Sequence, residues 1–427
     1  MGPSIVGPLP RRGSAAQACV MIVPVPPFVH ASRLRLALAT TLVVVCAACT
    51  LEPMAPATVT PSPTSATVPS RTPGPTKTPQ PSPTVVRTPP ALPPPYATSR
   101  LNPLDRPVSY IADTCQYLQM KWGPENAAPG TIVIPIMFHA IPAFETKDPN
   151  EITQYQFEKL IADLKAQGFE AITVGELAEF LETNDRIPPR SFVMILDDRR
   201  PGTAFSTFLP VLEANNWRMS LAWPIGYGDD TTDRKPATFV ESDPRSGTYP
   251  NLWAQIENYY ESGRFEVESH GYYHNIPMGD VSTDDYLRQE LEQSMAELTA
   301  HFGRRPVGIV WPGGGFARRP VEFARAAGYR LGFTINPRGP LMFNWIPQSQ
   351  AKDPMRPVYL PEGPAGDPLL TLPRYWPSQV SGELDNIRLM GKEAAALAEA
   401  NRATEQEYYD IVCAPTHGPL PGPQGSG

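Results

Sequence analysis

The sequence is poor in several features that define other classes of protein. No apolar run of eighteen residues or more occurs after its N-terminal region, so we predict no internal membrane span. Only five cysteines and six histidines occur among its 427 residues. The formal net charge is −7, and because residues 1–100 carry about +7, the remainder carries about −14. We expect no nucleic-acid binding from so acidic a region.

Proline is concentrated in one segment. Of the 54 prolines, about 15 lie in residues 51–100, where Pro, Thr and Ser together fill about 30 positions. Such a segment cannot build a core, so we predict a linker over residues 50–100, extended in part as polyproline II. A proline-rich ligand for a partner domain is the alternative. The remaining length favours one large domain with appendages over two or three domains.

The N-terminal region has the pattern of an export signal. An Arg-Leu-Arg sequence precedes the apolar run Leu36–Ala48, which is too short to span a membrane. The run ends in Cys46-Ala47-Ala48-Cys49, which resembles the lipobox of bacterial lipoproteins, although Cys46 stands where Leu is usual. We therefore expect residues 1–49 to be a leader and Cys49 to be lipidated, anchoring an exported protein in the membrane, at the cell surface or in the periplasm. An ordinary cleaved signal peptide is the alternative.

Two cysteines lie outside the leader, Cys115 and Cys413. In an oxidising compartment they could pair and tie the two ends of the folded region together. Two unpaired thiols are an equally good interpretation.

From about Thr131 onward, short apolar runs alternate with amphipathic stretches, which predicts βα units around a parallel sheet. The predicted strands are continuous apolar runs, as expected when both faces of a sheet are covered: Ile132–Phe138, Phe192–Leu196, Met219–Trp223, Gly308–Trp311 and Leu331–Ile335. A helix is predicted around Phe157–Leu164 behind a capping box of Thr153 and Gln156. A second is predicted over about 284–301.

The length of this region fits one distorted α/β barrel, which we assign to residues 131–380. Residues 101–130 precede it as an N-terminal extension. Residues 381–427 follow as a polar tail with one helix, at about 392–409. The fold class is therefore α/β, a distorted (β/α) barrel, and we expect a monomer.

The candidate catalytic and metal-binding residues directly follow predicted strands. His270 and His274 have a spacing that brings two imidazoles to one metal ion if the chain coils once. Asp197 and Asp198 end the buried run that begins at Phe192; one carboxylate can bind a metal while its neighbour acts as a base. A solvated pair of carboxylates with Arg199 and Arg200 as counter-charges is the alternative.

Two further segments share this position in the fold. His139 ends the first strand, and Pro312 and Gly313 follow Trp311. In a barrel the carboxyl ends of parallel strands converge on one rim, where active sites lie. The four segments together therefore predict a single site.

These motifs resemble those of the NodB-type polysaccharide deacetylases, carbohydrate esterase family 4. The resemblance covers about residues 131–375 and rests on Asp197-Asp198, on His270 to His274 and on Trp311-Pro312-Gly313-Gly314. The segment Pro135–His139 is similar to the start of the poly-N-acetylglucosamine deacetylases, in which the acid histidine is moved to the front by circular permutation.

The resemblance implies a role for each of these residues. Asp198, His270 and His274 would bind one divalent metal, expected to be zinc, although the same ligands also take cobalt, nickel or iron. Asp197 would be the general base and His139 the general acid. Two positions depart from the family pattern: Arg199 replaces a usual Gly, and Val310 stands where an Arg that orients the base is common, a function that Arg199 or Arg200 could take over.

The substrate would lie against the motif loops. Tyr272, Tyr273 and Trp311 could stack on sugar faces or pack between loops, and Pro312 and Gly313 would form a wall of the groove. The expected activity is metal-dependent removal of N-acetyl groups from an amino-sugar polysaccharide at the cell surface or in the extracellular matrix. The alternatives are a carbohydrate-binding lipoprotein with a weakened deacetylase fold, and a metal-dependent hydrolase of a non-carbohydrate amide.

Overall fold

The computed structural model describes residues 87–146, 151–225, 252–274 and 277–420. The predicted leader, the lipidation site Cys49 and most of the predicted linker lie outside the described residues. In the described end of the linker, residues 87–98 form neither helix nor strand. None of the described helices combines the length and the apolar character needed to cross a membrane.

The described strands form two sheets. The strands are β1 Asp105–Val108, β2 Ile132–Phe138, β3 Glu170–Ala171, β4 Arg190–Asp197, β5 Met219–Trp223, β6 Phe265–Ser269, β7 Gly308–Val310, β8 Leu331–Phe333 and β9 Ile346–Ser349. The larger sheet is parallel, in the order β2-β4-β5-β6-β7-β8, with β3 beside β4. β1 and β9 pair separately as an antiparallel ribbon.

A short segment connects the two edge strands of the parallel sheet. Leu372 forms a parallel bridge with Phe333 of β8, and Tyr375 forms one with Ile136 of β2. We call residues 371–375 the closing segment, because its hydrogen bonds reach both edges of the sheet. The predicted distorted (β/α) barrel is confirmed.

Helices cover the outside of the barrel. They are α1 Thr114–Trp122, α2 Gln154–Ala166, α3 Val174–Thr183, α4 over 201–215, α5 Leu252–Glu261, α6 over 284–302, α7 Arg318–Ala327 and α8 over 377–417, of which α4, α6 and α8 each contain a π-helical turn. The predicted capping box is present at the start of α2, where Thr153 and Gln156 cap each other's backbone.

The last helix is much longer than the sequence pattern indicates. We predict it over about 392–409, but its α-helical part is Pro377–Tyr408. Pro377 occupies the first turn, where the missing N–H costs nothing and the fixed φ suits a helix. Val380, Leu384 and Ile387 of this first half are buried in the same core cluster as Ile132 and Ile134 of β2. The expected polar tail is therefore in large part a packed helix.

A disulfide joins Cys115 of α1 to Cys413 of α8. Of the two interpretations of these cysteines, the structure shows the paired one. The bridge connects segments 298 residues apart, so the N-terminal extension and the C-terminal helix are linked covalently.

Candidate active site

The residues singled out in the sequence lie at one end of the barrel. β2 leads directly to His139, β4 ends at Asp197, and β6 leads directly to His270. All three strands run parallel, so these side chains share the rim formed by the carboxyl ends of the strands.

Asp198, His270 and His274 form a compact group of candidate metal ligands. Oδ1 of Asp198 lies 3.7 Å from Nε2 of His270 and 3.8 Å from Nε2 of His274. Two ligand atoms each about 2.1 Å from a tetrahedral ion are on the order of 3.4 Å apart. The three side chains are therefore close to the spacing that one ion requires.

The surroundings of these ligands also fit a bound cation. Oδ1 of Asp198 is buried and has no hydrogen-bond partner among the described residues, and a buried carboxylate oxygen is costly unless it is paired. Asp198 and His274 both have positive φ, +68° and +57°. Such conformations are strained for residues other than glycine and concentrate at functional sites.

Both histidines are held in the neutral form that metal ligation needs. Burial lowers the pKa of His270 to about 4. Burial, followed by the neighbouring His270, lowers the pKa of His274 to about 3. Nδ1 of His270 lies 2.8 Å from the carbonyl oxygen of Val310, so with its proton on Nδ1 the ring presents the lone pair of Nε2 to Asp198.

Asp197 is oriented by an arginine that the motifs do not contain. Nη1 of Arg374, in the closing segment, donates a 2.7 Å hydrogen bond to Oδ1 of Asp197. The guanidinium is fully buried and is fixed by a second hydrogen bond, from Nε to the carbonyl of Thr334. Burial raises the pKa of Asp197, but its interactions with Arg374 first, and then with His270 and His139, outweigh burial, and the net shift is downward.

Arg374 thus has the role that we considered for Arg199 or Arg200, which is to orient the base. Nε of Arg199 donates to the carbonyl of Pro224 at 2.8 Å, and its Nη2 donates to the carbonyl of Ile225. Arg200 lies 3.4 Å from Oδ2 of Asp198. Both side chains are buried at the rim, but it is Arg374 that contacts the candidate base.

His139 lies near the other oxygen of the Asp197 carboxylate. Its Nε2 lies 3.9 Å from Oδ2 of Asp197, which is too long for a hydrogen bond. The imidazole stacks on the indole of Trp376, with 5.9 Å between ring centroids and 16° between planes. This stack fixes the plane of the candidate acid.

The loop that carries the two histidines is held by a buried carboxylate. Glu290, in the π-helical turn of α6, accepts hydrogen bonds from the backbone N–H of Tyr272 at 2.7 Å and of Tyr273 at 3.0 Å. Gly271 has φ +77°, and a Cβ there would lie 2.4 Å from the carboxylate. Glycine is therefore required for this close approach.

The predicted substrate contacts are only partly exposed. Tyr272 and Tyr273 are half-buried neighbours with ring centroids 4.8 Å apart, and Gly313 is exposed at the rim. Of the two interpretations of Trp311, the structure shows packing and not a sugar contact: the residue is 0% exposed and donates its indole N–H to the carbonyl of Leu370. Pro312 is buried as well and presents little surface to a ligand.

Three residues of this site were missed by sequence reasoning: Arg374, Trp376 and Glu290. Arg374 lies in the closing segment and Trp376 directly follows it, and the neighbouring Pro373 and Pro377 argue against a strand. Glu290 lies on an ordinary amphipathic helix. No local pattern marks any of them.

The model of one protein family matches this chain. Residues 185–332, about a third of the chain, match the polysaccharide deacetylases. This segment includes Asp197, Asp198, His270 and His274, whereas His139 and Arg374 lie outside it. The match confirms the resemblance to polysaccharide deacetylases and the predicted class of enzyme; the permuted subgroup stays a prediction.

Several solved structures are similar to this one. The deacetylase PplD of Streptococcus pyogenes, in complex with acetate, is 16% identical, with a TM-score of 0.45 over 60% of this chain and 98% of that chain. IcaB from Ammonifex degensii is 18% identical, with a TM-score of 0.41 over 59% and 96%. The deacetylase domain of BpsB from Bordetella bronchiseptica is 18% identical, with a TM-score of 0.41 over 58% and 96%. No curated protein matches the sequence.

Proposed function

We propose that this polysaccharide deacetylase domain removes N-acetyl groups from an amino-sugar polymer with the help of one divalent metal ion. The single observation that carries the proposal is the placement of Asp197. Its Oδ1 accepts a hydrogen bond from Arg374, its Oδ2 lies near His139, and the residue adjoins the candidate ligand Asp198. A base, an acid and a cation site are thus adjacent, as amide hydrolysis requires.

The residues divide the proton transfers between them. When bound by Asp198, His270 and His274, a divalent ion would polarise the acetamide carbonyl and lower the pKa of an attacking water. Asp197 accepts the proton of that water as the new C–O bond forms. His139 donates a proton to the sugar nitrogen as the C–N bond breaks, so that acetate and a free amine are the products. Zinc suits the two imidazoles and one carboxylate, and cobalt, nickel or iron could replace it.

The Arg374–Asp197 pair favours catalysis over the alternative of a binding protein with a weakened site. Arg199 and Val310 depart from the family pattern, and Val310 stands where an arginine that orients the base is common. A buried, charge-assisted hydrogen bond of 2.7 Å supplies that orientation from another part of the chain. The remaining alternative, a hydrolase of a non-carbohydrate amide, differs in substrate and not in site chemistry.

We also propose that the protein is exported and anchored through lipidated Cys49, with the domain acting at the cell surface or in the periplasm. The leader pattern supports export, and the Cys115–Cys413 disulfide fits an oxidising compartment. The partner would then be an N-acetylated polysaccharide outside the cytoplasm.

Acetate release tests the proposed activity. The zinc-loaded protein is incubated with N-acetylglucosamine polymers, with peptidoglycan and with simple acetamides. We expect acetate from at least one glycan, a loss of about 10²-fold or more in Asp197→Asn and His139→Ala, and no loss in the surface control His301→Ala. Hydrolysis of simple acetamides alone would favour the non-carbohydrate alternative. No acetate from any substrate would refute the proposal.

A further inference from the structure

Arg199 directly follows the candidate metal ligand Asp198 and stands where the family pattern usually has glycine. Its side chain is charged, yet the residue is only 1% exposed. Arginines are almost never buried to this extent unless their donors are paired. The proposed mechanism orients the base with Arg374 and leaves Arg199 without a function.

The guanidinium of Arg199 is bound at the end of the neighbouring strand β5. Its Nε donates a 2.8 Å hydrogen bond to the carbonyl of Pro224, and its Nη2 donates to the carbonyl of Ile225. The guanidinium also lies over the indole of Trp223, 5.5 Å from the ring centroid, a distance at which a cation and an aromatic ring attract each other. We call residues 223–225 the β5 end segment.

These hydrogen bonds continue the pairing of β4 with β5 beyond its last backbone pair. The register of the two strands ends at Asp197 and Ala222. The next residue, Asp198, has φ +68°, which is outside the range of a strand. Such a conformation persists only where the surroundings fix it. The side chain of Arg199 supplies a fixed point directly after this ligand.

The β5 end segment is also bonded to the segment that carries the second ligand. The N–H of His270 donates to the carbonyl of Trp223 at 3.2 Å, and the N–H of Ile225 donates to the carbonyl of Gly271 at 3.3 Å. β5 lies between β4 and β6 in the sheet, so the strands that lead to the two ligands do not pair with each other. The β5 end segment therefore connects them.

We propose that Arg199 is a positioning residue of the metal site, which fixes the distance between Asp198 and His270 through the β5 end segment. Oδ1 of Asp198 lies 3.7 Å from Nε2 of His270, close to the spacing that one ion requires. Groups that orient metal ligands strongly affect metal affinity. The inference rests on the metal site of the proposed function. It adds that this chain depends on the arginine that replaces the usual glycine.

Zinc affinity tests this role in the full chain. Zinc is titrated, in competition with a chelator, into the unmodified protein, Arg199→Met, Arg199→Lys and Arg218→Met. We expect a loss of about 10- to 100-fold in Arg199→Met. Lysine keeps the charge but lacks the planar fork that binds two carbonyls, so we expect a smaller loss of about 3- to 10-fold in Arg199→Lys. Arg218 directly precedes β5 and forms an exposed ion pair with Glu176, and its replacement should not change the affinity.

The visible absorption spectrum of bound Co²⁺ separates a positioning role from a loss of stability. The spectrum depends on the geometry of the ligands, so we expect it to change in the Arg199 variants and to stay the same in Arg218→Met. Circular dichroism of the metal-free proteins shows which variants are folded. If Arg199→Met is unfolded, the affinity and the spectrum of Arg199→Lys decide the question.

Three results would overturn the proposal. They are an affinity in the folded Arg199 variants equal to that of the unmodified protein, a weakened affinity with an unchanged Co²⁺ spectrum, and an equal loss in Arg218→Met. If the unmodified protein binds zinc but releases no acetate from any glycan, the proposed activity fails, and the affinities still decide the role of Arg199. If it binds no zinc, the metal site and this inference are both rejected.

Discussion

Arg374 donates a hydrogen bond to Asp197 from a segment 177 residues further along the chain, outside the part that matches the polysaccharide deacetylase family. The barrel must close for this contact to form, because Arg374 lies in the segment that bridges β2 and β8. The orientation of the candidate base therefore depends on the closure of the barrel.

Replacing Arg374 should impair catalysis. In Arg374→Met the carboxylate of Asp197 loses a charged hydrogen bond worth about 1.5–3 kcal/mol, so we expect kcat/KM to fall about 10- to 150-fold. Arg374→Lys should recover part of the loss. Steady-state acetate release measures the effect, and metal content should not change. Arg388→Met, at an exposed pair on α8, is the control. Full activity in Arg374→Met would show that Asp197 needs no such partner.

Glu290 should control metal affinity without touching the metal. In Glu290→Ala the backbone N–H groups of Tyr272 and Tyr273 lose their acceptor, and the loop that carries His274 is released. Residues that orient metal ligands typically change affinity by about 10- to 100-fold, and we expect a loss of this size in a zinc titration. Glu292→Ala removes an exposed carboxylate two residues away and should have no effect. Equal affinities in the two variants would contradict the role assigned to Glu290.

Asp105 should be sensitive to replacement although it lies outside the active site. It is fully buried and accepts hydrogen bonds from Arg338 at 3.1 Å and from Arg356 at 2.8 Å. Asp105→Asn removes one of the two carboxylates that each guanidinium contacts, leaving Glu362 for Arg338 and Asp353 for Arg356. We expect the free energy of unfolding to fall by about 1.5–3 kcal/mol, the usual contribution of a hydrogen bond to a charged group. Asp285→Asn, at an exposed pair with Arg288, should cost less than about 1 kcal/mol. Urea denaturation followed by circular dichroism compares the two, and similar midpoints would contradict the account.

The disulfide should stabilise the folded domain. Cys115→Ser combined with Cys413→Ser is expected to lower the free energy of unfolding by about 2–5 kcal/mol. Adding a reductant to the unmodified protein should produce the same change, and adding it to the double variant should produce none. If reductant destabilises both proteins alike, the effect does not come from this bridge.

The barrel was predictable because its strands are covered on both faces. A short, continuous apolar run such as Ile132–Phe138 is typical of a buried strand, and the structure reproduces these bounds without change. The closing segment was not predictable, because Pro373 within it and Pro377 just after it both indicate the absence of a strand. Its pairing also consists of isolated bridges to strands that are distant in sequence.

The candidate site was likewise predictable only in part. Residues within short motifs, such as Asp197-Asp198, could be singled out because their spacing carries the chemistry. The two interpretations of Trp311 could not be separated in the sequence, because a tryptophan in a loop motif has the same pattern whether it packs or binds. The hydrogen bond to the carbonyl of Leu370, which depends on the fold, shows that it packs. Arg374 and Trp376 act through contacts between distant segments, which no local pattern contains.

Metal content per chain is the measurement that tests the central claim most directly. Residues 87–427 are purified, exposed to excess zinc, dialysed and analysed by mass spectrometry, beside His270→Ala combined with His274→Ala and beside the control His301→Ala. We predict about one zinc per chain in the unmodified protein and in the control, and none in the double variant. A protein that stays empty in excess zinc, or a double variant that keeps its metal, would contradict the assignment of Asp198, His270 and His274 as the metal site.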